Sequence, residues 1–156
     1  MLIRKAKVTD VTVIQSLVKP FAEARKMLAL SFGDITERLR DFSILEDDAG
    51  EPIGCVAVHI VWERLVELRS LAVRSDRQGE GLGKTLVDAA RREARELGAT
   101  QIFTLSFVPD FFHKQGFVTI DRRVLPHKVW QDCTHCPLFP DCGETALMQE
   151  LDTPEA

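Results

Sequence analysis

The sequence predicts a single domain of the α+β (mixed α/β) class, with a central, mostly antiparallel sheet and helices on both faces. Its 156 residues suit one domain, and a hydrophobic content of 45% is enough for an ordinary core. Segments with strand and helix patterns are interleaved along the chain, which is the order expected when helices cover both sides of one sheet. We expect the domain to cover residues 1–151, with a short tail at 152–156.

The first half of the chain begins with a strand and continues into helices. LIRKAKV, at 2–8, alternates apolar and polar side chains as a half-buried strand does. Thr9 is a good N-cap for a first helix, which we expect to end at Pro20. A second helix is expected at 21–28 and a third at about 34–41. The apolar residues expected to face inward are Val11, Ile14, Leu17, Val18, Ile35, Leu39 and Phe42.

The second half of the chain predicts most of the sheet. FSILED and PIGCVAVHIVW form two strands across the turn DDAGE, and RLVELRSLAV forms another. A long helix follows, with apolar residues at helical spacing from Leu82 to Leu97 and a stop at Gly98. TQIFTLS is typical of a buried strand, PDFFHKQ of a short helix and FVTI of a further strand. GETALMQEL fits a last strand, although its composition also suits a helix.

A glycine-rich loop, DRQGEGLGKTL at 76–86, lies between a strand and the long helix. A Walker loop would need glycine where the chain has Gln78. A dinucleotide-binding loop would need glycine where the chain has Lys84 or Leu86. Backbone amides at a helix N-terminus nevertheless favour an anion, and Arg77 adds positive charge. The pattern indicates a loop that holds a phosphate group without cleaving a nucleotide; a plain strand-to-helix turn is the alternative.

Two motifs make the chain resemble the GNAT superfamily of N-acetyltransferases. Residues 71–90 contain Gln-x-x-Gly-x-Gly, the form of that family's coenzyme loop, and FFHKQGF at 111–117 matches its later aromatic signature. The order of strands and helices is also that of the family. The resemblance implies acetyl-CoA as cosubstrate, with its pyrophosphate on the loop amides and its pantetheine arm paired to the preceding strand. The residues thereby expected at the coenzyme are Leu71, Ala72, Val73, Gln78, Gly79, Glu80, Gly81, Leu82, Gly83, Lys84 and Phe112.

Acetyl transfer to an amine requires a base for the amine, and Glu67 is our candidate because relatives often place a glutamate on this strand. The alternative is a surface glutamate paired with Arg69 on the same face. Many relatives use a tyrosine as general acid where this chain has Phe112, and the chain contains no tyrosine. Ser106 and His113 lie nearby in sequence, and Ser106 is a candidate catalytic residue; the general acid stays unassigned, since water could also protonate the thiolate. We expect direct attack in a ternary complex, because no cysteine lies where a covalent intermediate would form. The resemblance implies that the acetyl oxygen lies on a backbone amide at 71 or 72.

A cysteine-containing segment, 126–144, follows the aromatic signature. Cys133 and Cys136 are separated by two residues and could bind one metal ion, with Cys142 as a third ligand. His127, His135 or Cys55 could complete the set, and three reduced cysteines in a proline-rich loop are the alternative. Cys55 itself, inside a strand, is better explained as a core residue.

The same segment is similar to a KVW-DC--CP-FP-C-E-A stretch found in short proteins related to the acetyltransferase domain of N-acetylglutamate synthase. This similarity implies acetylation of the α-amino group of an amino acid, most simply L-glutamate for arginine synthesis. Relatives tend to carry an arginine for the substrate carboxylate where this chain has Leu30. We expect Arg25, Arg69 or Lys128 to compensate. There are two competing hypotheses: the enzyme acetylates another amine, or the protein is a non-catalytic sensor of acetyl-CoA.

Composition limits the remaining classes of partner. A net charge of −4 lacks the basic surface that nucleic-acid binding needs. The first ten residues have no apolar core of a signal peptide, and no apolar run has the length of a membrane span. We therefore expect a cytoplasmic protein that acts on small molecules, with a homodimer left open.

Overall fold

A computed structural model of the chain describes residues 1–126 and 143–152. Within them, seven strands form one sheet in the order β1-β2-β3-β4-β5-β7-β6. Neighbours are antiparallel except for β4 and β5, which are parallel. The strands are β1 (Leu2–Lys5), β2 (Phe42–Glu46), β3 (Pro52–Trp62), β4 (Leu65–Val73), β5 (Gln101–Ser106), β6 (Val118–Thr119) and β7 (Thr145–Glu150). The predicted fold class is confirmed, and the last segment is a strand.

Helices cover the two faces of this sheet. The α-helices of the described residues are α1 (Val11–Glu23), α2 (Phe32–Glu37), α3 (Leu82–Glu96) and α4 (Pro109–Lys114). Alternate residues of β3 point to opposite faces: Val56 and Val58 pack in the cluster that contains α3 and Phe112 of α4. Cys55 and Ala57 pack in the cluster that contains α1 and Ile35 of α2. No helix in these ranges is long and apolar enough to cross a membrane.

The first helix has the predicted buried face but not the predicted end. The four apolar residues from Val11 to Val18 are buried, as their spacing requires. The helix continues through Pro20, and the Ala24 amide still donates to the Pro20 carbonyl at 3.1 Å. Proline has no N–H, so the carbonyl four residues earlier, that of Ser16, loses its helical hydrogen bond. Ser16 is exposed, so water can bond to this carbonyl instead. The predicted separate helix at 21–28 is therefore wrong: its first residues extend α1, and the rest form a loop.

The third predicted helix begins and ends earlier than its apolar spacing suggests. Ser31 is the N-cap of α2, because its hydroxyl accepts from the Asp34 amide at 3.0 Å. The Asp34 carboxylate returns a bond to the Ser31 amide, which completes a capping box. After Glu37 the chain tightens into a 3-10 helix, Leu39–Asp41, that leads directly into β2. This arrangement brings the end of α2 and the 3-10 helix beside β3 and β4.

Candidate active site

Strands β4 and β5 separate after three residue pairs, and the resulting opening is the main feature of the site. Their parallel ladder joins residues 65–67 to 101–103 and goes no further. β4 continues to Val73 and β5 to Ser106. Beyond the ladder, their facing edges lack a partner strand within the part of the chain that the structure describes. Backbone groups on such edges can form hydrogen bonds with an extended ligand.

A bulge in β4 lies at this opening. Ser70 has a φ of 53°, in the left-handed region, and the β3–β4 register shifts between Cys55 and Ala57. An extra residue bends a strand and increases its twist, which accounts for the divergence of β4 from β5. The Cys55 thiol donates to the Ser70 carbonyl at 3.4 Å. Burial raises the pKa of this thiol to about 12, so Cys55 is a neutral core residue, as predicted.

A cavity of about 510 Å³ occupies the opening and reaches both faces of the sheet. Its walls come from the loop between α1 and α2, from β4, from the end of β5 and from α4. The candidate catalytic residues Glu67 and Ser106 both line it, as does Phe112. The structure thus brings together three residues that the sequence proposed separately.

Glu67 lies on the wall that faces α2. Its side chain is 8% exposed, and its Oε1 accepts from the Arg69 Nε at 2.7 Å. Residues two apart on a strand share a face, so this pair follows from the sequence. The carboxylate is nevertheless buried, which distinguishes it from the surface glutamate that was the alternative. A buried, ion-paired carboxylate in a cavity is the kind of group that acid–base chemistry uses.

Ser106 and Phe112 lie on the other side of the opening. Glu67 pairs in register with Phe103, so their side chains point to the same face of the sheet. Ser106 lies three residues after Phe103 on β5, and strand side chains alternate, so the Ser106 side chain points to the opposite face. The Ser106 hydroxyl accepts from the Val108 amide at 2.9 Å and keeps its own proton available for donation. Phe112 packs edge-on against its neighbour Phe111, with ring centroids 5.0 Å apart. The cavity therefore has a carboxylate on one face and a hydroxyl beside an aromatic wall on the other.

The glycine loop leads into α3, next to the cavity. Gly81 is the N-cap of α3 with a φ of 77°, a conformation that glycine adopts without strain. The first helical bond runs from the Thr85 amide to the Gly81 carbonyl at 3.2 Å. The amides of residues 82–84 precede it, so they have no acceptor within the helix and can bind an anion. A Cβ at Gly83 would lie 3.1 Å from the Phe111 ring, so glycine also permits α3 to pack closely on α4.

Side-chain charge in this loop is largely neutralised within the protein. The Arg77 Nε donates to Glu80 at 2.8 Å, and its Nη1 lies 3.3 Å from Asp47. The hydrogen bond from Arg77 lowers the pKa of Glu80 below its usual 4.5. The Lys84 ammonium pairs with Asp88 at 2.9 Å. Backbone amides and the helix dipole are therefore the main attraction for a phosphate here.

Charged side chains of both signs line the cavity; besides Glu67, the acidic ones are Asp34, Asp41 and Glu144. Arg69 lines it, and Leu30 lines it where relatives tend to carry arginine. Arg25 does not: it is exposed at the end of α1, with a φ of 57°. The sequence missed three lining residues that the fold brings in from separate elements. These are Lys26, Arg38 and Arg122.

The remaining predicted site residues lie outside the described ranges. These are Lys128, Cys133, Cys136 and Cys142, so the metal prediction stays a prediction. Within residues 1–126 and 143–152, no three histidine, cysteine or acidic side chains are grouped as metal ligands.

The family is established by comparison with known proteins. The model of the acetyltransferase (GNAT) family matches residues 9–117, and the chain belongs to that family. It is an acetyl-CoA-dependent N-acetyltransferase of the GNAT type. A protein of Chlorobaculum tepidum, named an uncharacterized N-acetyltransferase, is 34% identical over 149 residues, which are 96% of each chain. The amino-acid acetyltransferase of Mycobacterium tuberculosis is 31% identical over 132 residues, or 83% of this chain and 75% of the relative.

A solved structure extends the similarity to the three-dimensional level. The N-acetylglutamate synthase of Neisseria gonorrhoeae, complexed with coenzyme A and N-acetyl-glutamate, superimposes with a TM-score of 0.85 at 28% identity. The match covers 97% of this chain and 35% of the synthase. The chain therefore spans about a third of that larger protein.

Proposed function

We propose that the chain transfers acetyl from acetyl-CoA to the α-amino group of an amino acid, with L-glutamate as the first acceptor to test. The observation that carries this proposal is the cavity between β4 and β5, where Arg38 and Arg69 share the lining with the buried Glu67. The names of the Mycobacterium tuberculosis and Neisseria gonorrhoeae relatives support an amino-acid acceptor.

The coenzyme would bind along the opening in the sheet. The amides at the N-terminus of α3 suit its pyrophosphate, because they are donors at the positive end of a helix dipole. The backbone of residues 71–73 suits the pantetheine arm, because this edge of β4 has no strand beside it among the described residues. A donor amide at 71 or 72 would polarise the acetyl carbonyl. Phe112 would lie against the thioester end of the arm.

Two side chains on opposite faces would then divide the proton transfers. Glu67 accepts a proton from the acceptor amine, directly or through a water, and the hydrogen bond from Arg69 orients its carboxylate. Ser106 donates to the departing sulfur, since its hydroxyl lies at the end of β5 on the coenzyme's side. The amine attacks the acetyl carbon directly. The transfer therefore needs no covalent intermediate on the protein.

The acceptor's carboxylates would meet cationic side chains of the cavity wall next to α2. Leu30 cannot supply the ion pair that relatives obtain from arginine at that position. Arg38, at the C-terminal end of α2, and Arg69, on β4, line the same cavity and can replace it. Lys26 and Arg122 supply further positive charge at the wall. Lys128 stays a proposal from sequence alone.

An acceptor screen tests the proposal. Thiol release from acetyl-CoA is measured with L-glutamate, L-glutamine and L-norvaline, which share an α-amino acid core but differ in their side-chain end group. Release that is fastest with glutamate supports the glutamate assignment. Preference for glutamine or norvaline would move the activity to another amino acid. The other standard amino acids are then screened in the same way; release with none of them, but with a peptide N-terminus or another amine, would overturn the amino-acid proposal. Tight coenzyme binding with no turnover of any amine would favour a sensor.

A further inference from the structure

His59 lies directly opposite Glu67 in the antiparallel β3–β4 ladder. Side chains of such a pair point to the same face of the sheet, with Cβ atoms about 5 Å apart. His59 is on the face that carries Glu67 and Arg69, and it contacts Asp41, which lines the cavity. Its side chain is 21% exposed, while the Glu67 side chain is 8% exposed. The imidazole is therefore the more solvent-exposed neighbour of the candidate base.

The imidazole is oriented by a carboxylate from a different element. Asp41 is the last residue of the 3-10 helix before β2, and its Oδ2 lies 2.7 Å from the His59 Nδ1. Asp41 also lines the cavity. A carboxylate partner favours the proton on Nδ1 and leaves Nε2 as the basic nitrogen. Within residues 1–126 and 143–152, Nε2 has no hydrogen-bond partner. This is the orientation of an imidazole that is ready to accept and release a proton.

The chemistry requires a group with this property. A free amino acid reaches the site as an ammonium ion, and only the neutral amine attacks the thioester. Over the full reaction, the ammonium and acetyl-CoA give the amide, the free thiol of coenzyme A and one proton for the solvent. The nitrogen loses two protons, of which the departing sulfur takes one. The Glu67 side chain is only 8% exposed, so a more exposed neighbouring group can help to carry its proton to solvent.

We propose that His59, held by Asp41, relays the proton from Glu67 to solvent. The proposal rests on Glu67 as the base of the proposed function. His59 acts through Glu67 and does not contact the acceptor, so it is a relay and positioning residue. The charged groups on the elements around His59 are Arg40 and Asp41 on the 3-10 helix, and Glu67 and Arg69 on β4. The Asp41 contact holds the ring in place, and the partial exposure of the ring gives a proton a route to solvent.

The test compares His59→Gln and Asp41→Asn with wild type, and His113→Gln serves as a matched control. His113 is 45% exposed, bonds to Thr119 on the surface and does not line the cavity. Thiol release is measured across pH with the amine that wild type turns over best, with and without added imidazole. We expect kcat to fall at least about tenfold in both site variants, with a changed pH profile. Added imidazole should restore part of the rate of His59→Gln, and His113→Gln should match wild type.

Two results would overturn the relay. One is an unchanged kcat in His59→Gln. The other is a lower kcat accompanied by a lower melting temperature, with an unchanged pH profile and no response to imidazole. The contact between His59 and Asp41 would then only stabilise the packing of the 3-10 helix on the sheet. Because the comparison uses whichever amine wild type acetylates, rejection of glutamate as acceptor would refute the proposed substrate without deciding the relay.

Discussion

The substitution Gly81→Ala separates the loop's role in coenzyme binding from its role in folding. Gly81 has a φ of 77°, and a Cβ placed there would have no atom within 4 Å. The cost of the methyl group is therefore conformational and not steric. Gly98, just beyond the other end of α3, has a φ of 84° and equally open surroundings. Gly98→Ala is thus a matched control about 25 Å away along the helix, at 1.5 Å per residue.

The expected magnitude follows from these dihedral angles. Placing alanine in the left-handed region costs about 1–2 kcal/mol, so Gly98→Ala should lose that much free energy of unfolding, and Gly81→Ala should lose less because its loop can relax. In Gly81→Ala, the loop of the free protein can relax this strain by leaving the conformation that presents its amides. Coenzyme binding must then restore the strained conformation, which weakens the affinity by up to the same energy. This corresponds to a Kd for acetyl-CoA that is roughly 5–30 times higher. Gly98→Ala should retain the wild-type Kd.

Titration calorimetry with acetyl-CoA and denaturant unfolding provide the two quantities. The reasoning fails if both variants lose similar stability and bind acetyl-CoA with the wild-type Kd, because the loop would then be only a turn. It also fails if both variants weaken binding equally, because the effect would then come from general destabilisation of α3.

Three further predictions concern the base, the acceptor site and acid stability. Glu67→Gln should lower kcat by about 100-fold or more at an unchanged Kd for acetyl-CoA, and an unchanged kcat would exclude Glu67 as base. Arg38→Ala should raise the KM for the acceptor about tenfold. Arg40 does not line the cavity, so Arg40→Ala should leave this KM unchanged. The same KM in both variants would show that Arg38 does not bind the acceptor. The Arg4 hydrogen bond lowers the pKa of the buried Asp10 below its usual 3.8, so this carboxylate stabilises the fold above that pH and less as pH falls. Asp10→Asn should therefore lose about 1–2 kcal/mol of unfolding free energy at pH 7, as measured by urea unfolding. The difference in unfolding free energy between the variant and wild type should narrow below about pH 3.8. A difference that stays constant with pH would contradict this.

The elements that the sequence predicts well have strong local patterns. PIGCVAVHIVW has the same bounds as β3, Pro52–Trp62, because a long run of β-branched and apolar residues has no helical spacing. The loop before α3 was also visible, since its glycines are required by local backbone geometry at Gly81. The end of α1 could not be predicted from the sequence. Whether Pro20 ends the helix depends on whether water can reach the carbonyl that loses its hydrogen bond, and the burial of that carbonyl is a property of the tertiary structure.

The site was only partly visible for a related reason. Glu67 stood out as the one acidic residue of its strand, and its pairing with Arg69 needed only strand alternation. Whether that pair is buried depends on α2 and on the parting of β4 from β5. Arg38 reaches the cavity because Ser31 starts α2 earlier than its apolar spacing indicates. His59 and Asp41 are 18 residues apart, and their contact follows from a chain path that no local pattern encodes.

The parting of β4 and β5 also links the stability of the protein to its cosubstrate. If acetyl-CoA fills this opening as proposed, the ligand supplies hydrogen bonds that a neighbouring strand would otherwise provide, and the sheet is complete only when it is bound. Ligand at 100 times its Kd would then raise the free energy of unfolding by about 2.7 kcal/mol. Resistance to proteolysis and to heat would rise and fall with the supply of acetyl-CoA, so the abundance of the folded protein would follow the availability of the acetyl group that it transfers.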